Sequence, residues 1–286
     1  MIEPTVPSPA PQPGAGLAEL GALAAGLARA AGHLALAEAA AVRQGRGSGS
    51  RGDAETKSSP TDLVTAADRA AETLIIDGIL TARPADGIAG EEGGSRAGTS
   101  GVVWHIDPID GTTNYVYGIP AFAVSIGVEA DGDLVAGAVF HPSRGCLYHA
   151  LRGGGAWRDA EPLRCSPLAD LATALVATGF AYRPERRRHQ ASVLIKVLPR
   201  IRDIRRFGSA ALDLCAVASG EVDAYWEQGL NHWDLAGGTV VAREAGALVG
   251  NLRDGPPDAG CLLAAPPALF PPLRNLLLGA RADADG

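Results

Sequence analysis

The feature that most restricts how this chain can fold is an apolar run, Val102–Ile106, that leads straight into Asp107-Pro108-Ile109-Asp110-Gly111-Thr112-Thr113-Asn114. The run reads as a short buried strand. Pro108 fixes its own φ and steers Asp107 away from helix. Two carboxylates three residues apart across such a rigid turn converge on shared space. Converging anions repel strongly unless a cation stands between them. Further acidic groups fall at comparable places. Glu91 and Glu92 end a second short strand, Ile88–Glu91, Asp234 opens a helix after Trp233, and Asp68 lies in the first turns of a helix from Thr65 to Arg83 that Pro84 stops.

Oxygen donors of this kind select a hard ion, and Mg²⁺ suits a site that also takes a substrate phosphate. The backbone carbonyl of Ile109 adds a further oxygen. Gly111-Thr112-Thr113 follows at once. If a turn or helix begins there, its free N–H groups face an anion, with hydroxyls beside them. Carboxylates for metal next to an anion nest are what hydrolysis of a phosphate ester needs. Taken singly, each group has an ordinary reading. Asp-Pro-x-Asp is a common turn, Glu91-Glu92 a solvated loop, Asp234 an N-cap and Asp68 a surface charge.

The rest of the chain supplies a scaffold of adequate size. Its 286 residues are 47% hydrophobic and carry a formal net charge of -7, which argues against a broad nucleic-acid-binding surface. The Pro-rich start lacks any apolar period, so residues 1–15 are expected to be a disordered tail. Residues 16–43 keep helical spacing in Leu17, Leu20, Leu23, Leu27 and Leu34. Glu19, Arg29, His33 and Glu38 on that helix are costly in lipid, so no membrane span and a cytoplasmic protein are expected. A polar Gly/Ser/Arg-rich loop, Gln44–Ser59, follows.

Phe122–Glu129 and Leu134–Phe140 flank Asp131-Gly132, a hairpin signal. Gly145–Leu151 and Gly155–Arg164 extend an antiparallel meander. After about Asp170, strands (Ala174–Ala177, Ile204–Phe207, Asp223–Glu227, Ala247–Gly250, Cys261–Ala264) alternate with helices (185–199, Ser209–Ala218, Asp234–Ala245). The expectation is an α+β half over 16–170 and an α/β half over 171–286 that completes the substrate site. Cys146, Cys165, Cys215 and Cys261 form no C-x-x-C pair and read as small buried thiols.

In this order and spacing the motifs resemble the inositol monophosphatase family, the bacterial inositol-1-monophosphatase branch most of all. The resemblance rests on Ile106-Asp107-Pro108-Ile109-Asp110-Gly111-Thr112-Thr113-Asn114-Tyr115 and on Trp233-Asp234-Leu235-Ala236-Gly237 through Glu244-Ala245-Gly246. Gly90-Glu91-Glu92, Gly208-Ser209-Ala210-Ala211, Lys57-Ser58-Ser59-Pro60 and Thr65-Ala66-Ala67-Asp68 add to it. It covers about residues 16–280.

The resemblance implies a layered α-β-α-β-α sandwich of the sugar phosphatase type, usually a homodimer. It implies a first Mg²⁺ on Glu91, Asp107 and the Ile109 carbonyl, a second on Asp107, Asp110 and Asp234, and a weaker third on Glu91 and waters. Asp68 and Thr112, with Glu91, would serve the attacking water, and Gly111, Thr112 and Thr113 would bind phosphate. Ala210, Glu227 and Asp234 would meet a polyol, and Lys57 would sit on a mobile loop. Inhibition by Li⁺ is also implied. The tail and the loop from Gln44 look longer and more polar than the family norm, which bears on the Lys57 loop and not on the acidic positions.

The implied reaction is hydrolysis of inositol monophosphate to inositol and phosphate by a metal-activated water. Histidinol phosphate or another small ester is the enzymatic alternative. An alternative of another class is a regulatory protein that binds RNA or the transcription machinery, for which Arg183, Arg186, Arg187, Arg188 and His189 supply a basic run.

Overall fold

The computed structural model describes residues 15–45, 55–56, 63–258 and 260–284. Of the expected tail over 1–15, residues 1–14 lie outside the described residues and Ala15 begins a helix; Lys57, with most of its loop, also lies outside them. Helix α1 (Ala15–Gly45) buries a stripe of Leu20, Ala24, Ala28, Ala31 and Ala35, flanked by half-buried Leu17, Leu23 and Leu27. That spacing follows the helical repeat. Although α1 is long and apolar enough to cross a membrane, its stripe is covered by protein. Small side chains there allow close approach; a Cβ at Gly32 would strike the Phe140 ring.

A two-stranded pair, β1 (Glu55–Thr56) and β2 (Leu63–Val64), precedes α2 (Ala66–Ala82). The buried stripe of α2 is Ala67, Ala71, Ile75 and Ile79. Ala70, three residues after Ala67, faces solvent.

The first large sheet runs β3 (Gly87–Gly90), β4 (Val102–Asp110), β5 (Ala123–Ala130), β6 (Asp133–His141), β7 (Cys146–Leu151), β8 (Ala156–Arg158) and β9 (Glu161–Pro162) in that spatial order. Only the β3–β4 pair is parallel. Asp131 and Gly132 both take positive φ, 52° and 85°, as a two-residue hairpin turn of primed type requires. The expected single extension over Gly155–Arg164 is instead two short strands, because Asp159 at φ 53° turns the chain.

The second sheet has the order β11-β10-β12-β14-β13: β10 (Leu175–Thr178), β11 (Asp203–Arg205), β12 (Ala224–Glu227), β13 (Leu248–Gly250) and β14 (Leu262–Ala265). β10 pairs in parallel with both β11 and β12. The helices of this part, besides a six-residue α3 (Thr112–Tyr117), are α4 (Pro184–Val197), α5 (Ala210–Ala218), α6 (His232–Glu244) and α7 (Phe270–Ala280). No helix was expected after Ala264, where Pro266, Pro267, Pro271 and Pro272 stand close together. Pro271 and Pro272 fall in its first turn, where a missing N–H costs nothing.

Five layers result. α1 and α2 cover one face of the first sheet. α5 and α6 lie between the two sheets. α4 and α7 cover the outer face of the second sheet through Val193, Val197, Leu273, Leu277 and Ala280. The fold is the expected layered α-β-α-β-α sandwich. α6 sits unusually close to the first sheet. A Cβ at Gly127 or Gly137 would run into the backbone of Ala236 and Gly237, and one at Gly237 would stand 2.7 Å from the Ser125 hydroxyl. This contact sets where the N-terminus of α6, with Asp234, meets the end of β4.

Candidate active site

β4 does not stop at Ile106 as the sequence suggested; it continues to Asp110 with a bulge. Asp107 pairs with Ser125 and Asp110 with Ala123, so one extra residue is accommodated around Pro108, which has no N–H for the ladder. The bulge turns Asp107 and Asp110 toward a cleft of about 560 Å³ between the two sheets. Glu91, the Ile109 backbone, Gly111 and Thr112 line it from the first sheet. Arg206, Ala210, Glu227 and Asp234 line it from the second half of the chain.

Each acidic group is held by its own local structure. Asp68 is N3 of α2 and closes a capping box with Thr65, accepting the Thr65 N–H at 2.8 Å. The Thr112 hydroxyl lies 3.3 Å from its other oxygen and 3.0 Å from the Ile109 carbonyl. Asp68 thus reaches the cleft only through Thr112. Asp110 accepts from the Ser209 hydroxyl at 2.6 Å and the Ala211 N–H at 2.7 Å. Asp234 was expected to open its helix; Asn231 is the N-cap, and Asp234 at N3 accepts its N–H at 2.6 Å.

Electrostatics show what these positions lack in the protein alone. Burial, then the charges of Glu91, Asp110 and Asp234, push the Asp107 carboxyl well above its usual range, and a side-chain hydrogen bond joins it to Glu91. Burial pushes Asp110 up to about 6, against the donors from Ser209 and Ala211. Asp234 is raised well above the usual range for the same first reason. Among the described residues no three such side chains already close on one point; the carboxylates ring the floor of an open cleft. An all-oxygen set whose ionisation is opposed by mutual repulsion fits a hard divalent cation.

Gly111 takes φ 92° and leads into α3, so the first N–H groups of that turn have no intrahelical partner. Thr112 lines the cleft, whereas Thr113 is exposed and off its wall. Asn114 braces the turn, donating to the Ala121 carbonyl at 2.6 Å and the Phe207 carbonyl at 2.7 Å.

Opposite, Glu227 accepts from the Tyr225 hydroxyl at 2.7 Å, and burial pushes it to about 7. Behind it lies Asp213, buried, with one oxygen lacking a partner and its pKa raised well above the usual range by burial.

The sequence reading missed Ser209 as the partner of Asp110, and Tyr182, Arg206 and Trp233 as cleft residues. Nothing local announces the first pairing, which spans the two halves. The basic run divides: Arg183 and Arg186 face the cleft, and Arg187, Arg188 and His189 do not line it.

Fold and site together define a hydrolase-type sandwich in which an acidic cleft is shared between two sheets. The model of the inositol monophosphatase family matches residues 17–276. The inositol-1-monophosphatase of Mycobacterium leprae (strain TN) is 47% identical over 234 residues, covering 78% of this chain and 80% of that one. Among solved structures, Mycobacterium tuberculosis SuhB superposes with a TM-score of 0.77 at 39% identity, covering 93% of this chain and 98% of that one. The Nus factor SuhB of Pasteurella multocida (strain Pm70) is 40% identical over 232 residues, covering 80% of this chain and 87% of that one. The chain belongs to the inositol monophosphatase family, and it is a phosphatase.

Proposed function

We propose that this chain is a Mg²⁺-dependent phosphomonoesterase that hydrolyses inositol monophosphate to inositol and phosphate, working in the cytoplasm as a homodimer. The observation that carries the reading is the convergence of Glu91, Asp107, Asp110 and Asp234 on one cleft, with Thr112 on its floor and Glu227 facing them. Glu91, Asp107 and the Ile109 carbonyl would hold one Mg²⁺, and Asp107, Asp110 and Asp234 a second. When bound, the ions supply Lewis-acid stabilisation and a lowered pKa for water.

The chain's own groups do the rest. The Thr112 hydroxyl takes up the proton of the attacking water as it passes its own to Asp68. Burial raises Asp68 to about 6, high enough to receive it. The backbone N–H of Thr112 would hold a phosphate oxygen, with Gly111 supplying the turn, while Thr113, expected to share this role, stands off the cleft wall. Ala210 and Glu227 face the leaving group. Tyr225 occupies one Glu227 oxygen and leaves the other for a polyol hydroxyl. The halves 16–170 and 171–286 each contribute to this site, and Li⁺ is expected to inhibit by competing for the acidic set.

Histidinol phosphate is the rival ester, since Glu227 would also pair with an ammonium. Side-by-side kcat/KM on inositol 1-phosphate and histidinol phosphate tests the reading; a clear preference for histidinol phosphate overturns the substrate. The Nus factor name of the Pasteurella relative supports a second, regulatory reading, with Arg187 and Arg188 as candidates for an RNA contact. Salt-dependent RNA binding lost on their neutralisation would establish it.

A further inference from the structure

One buried carboxylate near the cleft has no part in the steps above. Glu72 lies on α2, one turn after Asp68 and one turn before Ile76, so the three share a helix face. That face seats the turn that follows β3. Glu72 Oε1 accepts the Glu92 N–H at 2.9 Å, and the same carboxylate accepts the Gly94 N–H. Two glycines are fitted to this contact. A Cβ at Gly90 would strike Glu72 Oε1, and one at Gly94 would strike Ile76 Cδ1 and stand 3.0 Å from Glu72 Oε2.

Glu91 is caught between these contacts. Its N–H donates to the Ile106 carbonyl at 3.2 Å, next to Asp107 on the neighbouring strand. The residues on either side of it, Gly90 and Glu92, both rest on the Glu72 carboxylate. Glu72 stands there against an electrostatic cost. Burial, and then the charges of Glu92 and Glu91, oppose its ionisation, while the two N–H donors favour it. An apolar side chain would avoid that cost and leave both N–H groups without this acceptor.

We infer that Glu72 is a positioning residue, which holds the turn after β3 where the Glu91 carboxylate can meet Asp107 over a divalent cation. The inference rests on the metal-dependent phosphatase reading above. α2 then serves the site twice. It carries Asp68 behind Thr112 and, one turn on, fixes the loop that carries Glu91. Groups that orient a ligand in this way govern metal affinity, because the ligand is in place before the ion arrives.

The test is the Mn²⁺ affinity of the full-length chain, read without substrate from the EPR signal of free Mn²⁺, for the wild type, E72A, E72Q, E91A and E72A/E91A. E72A should weaken binding by about 10- to 100-fold. E72Q, which keeps one acceptor oxygen, should weaken it less. E72A/E91A should bind no more weakly than E91A, because Glu72 acts only through Glu91. Loss of folded protein would lower the number of sites and leave the midpoint alone, so the midpoint separates positioning from stability. A wild-type midpoint in both Glu72 variants, or a further loss in E72A/E91A as large as that of E72A alone, would overturn the inference and leave the phosphatase reading standing. A wild type that neither binds Mn²⁺ nor hydrolyses inositol 1-phosphate would overturn both.

Discussion

The Ser209 hydroxyl donates to Asp110 Oδ2 at 2.6 Å, joining the end of β4 to the start of α5 across 99 residues of chain. Ser209 is also the N-cap of α5, so one hydroxyl orients a carboxylate and starts a helix. Ser209→Ala should weaken Mg²⁺ affinity by about 10- to 100-fold, the usual effect of losing a group that orients a metal ligand. Activity measured against Mg²⁺ concentration would show it as a shifted midpoint. An unchanged midpoint would mean that the Ala211 N–H alone holds Asp110.

Thr112 stands between Asp68 and the cleft. Thr112→Ala and Asp68→Asn should each lower kcat by about 10²- to 10⁴-fold, the range for loss of a proton-transfer group. KM should change little. The double variant should be no worse than either single one, since the two act as one relay. Steady-state kinetics on the four proteins checks this, and additive losses would separate their roles.

Asp68 and Asp110 have folded-state pKa values raised from 3.8 to about 6. Between those values the metal-free fold holds more protons than the unfolded chain, so its stability falls as pH rises through that window. Mg²⁺ needs the ionised carboxylates and should offset this loss. Thermal melts at pH 5 and pH 7.5, with and without Mg²⁺, should show a larger Tm gain at the higher pH. A gain independent of pH would place the bound ion elsewhere.

Gly237 lets α6 lie on β5, where a Cβ would stand 2.7 Å from Ser125 Oγ and 3.1 Å from the Ile126 carbonyl. Gly237→Ala should cost about 1–3 kcal/mol as an overpacked contact. It should also weaken Mg²⁺ binding, because the α6 N-terminus carrying Asp234 must shift. Tm and a Mg²⁺ titration of the variant read the two effects separately.

The parts of this site written in local sequence were legible in advance. Asp-Pro-Ile-Asp-Gly announced two carboxylates brought toward one place, although a bulge in β4 does this and not a turn, and Asp131-Gly132 announced a hairpin. Trp233-Asp234-Leu235-Ala236-Gly237 marked the start of α6. What escaped depends on distant packing. Asn231 displaced Asp234 from the cap because the last residues of a loop and the first of a helix look alike in sequence. Ser209 met Asp110, and Arg183 and Arg186 turned into the cleft, only because the two sheets bring those segments together. α7 was hidden by prolines whose tolerance depends on standing in the first turn.

The most direct test is the anomalous density of a crystal soaked in Mn²⁺ as a stand-in for Mg²⁺. Peaks are expected within ligand distance of the carboxylates of Asp107 and Asp110, one shared toward Glu91 and one toward Asp234. A well-ordered cleft with no peak among these four side chains would contradict the proposal that they act together on a divalent cation.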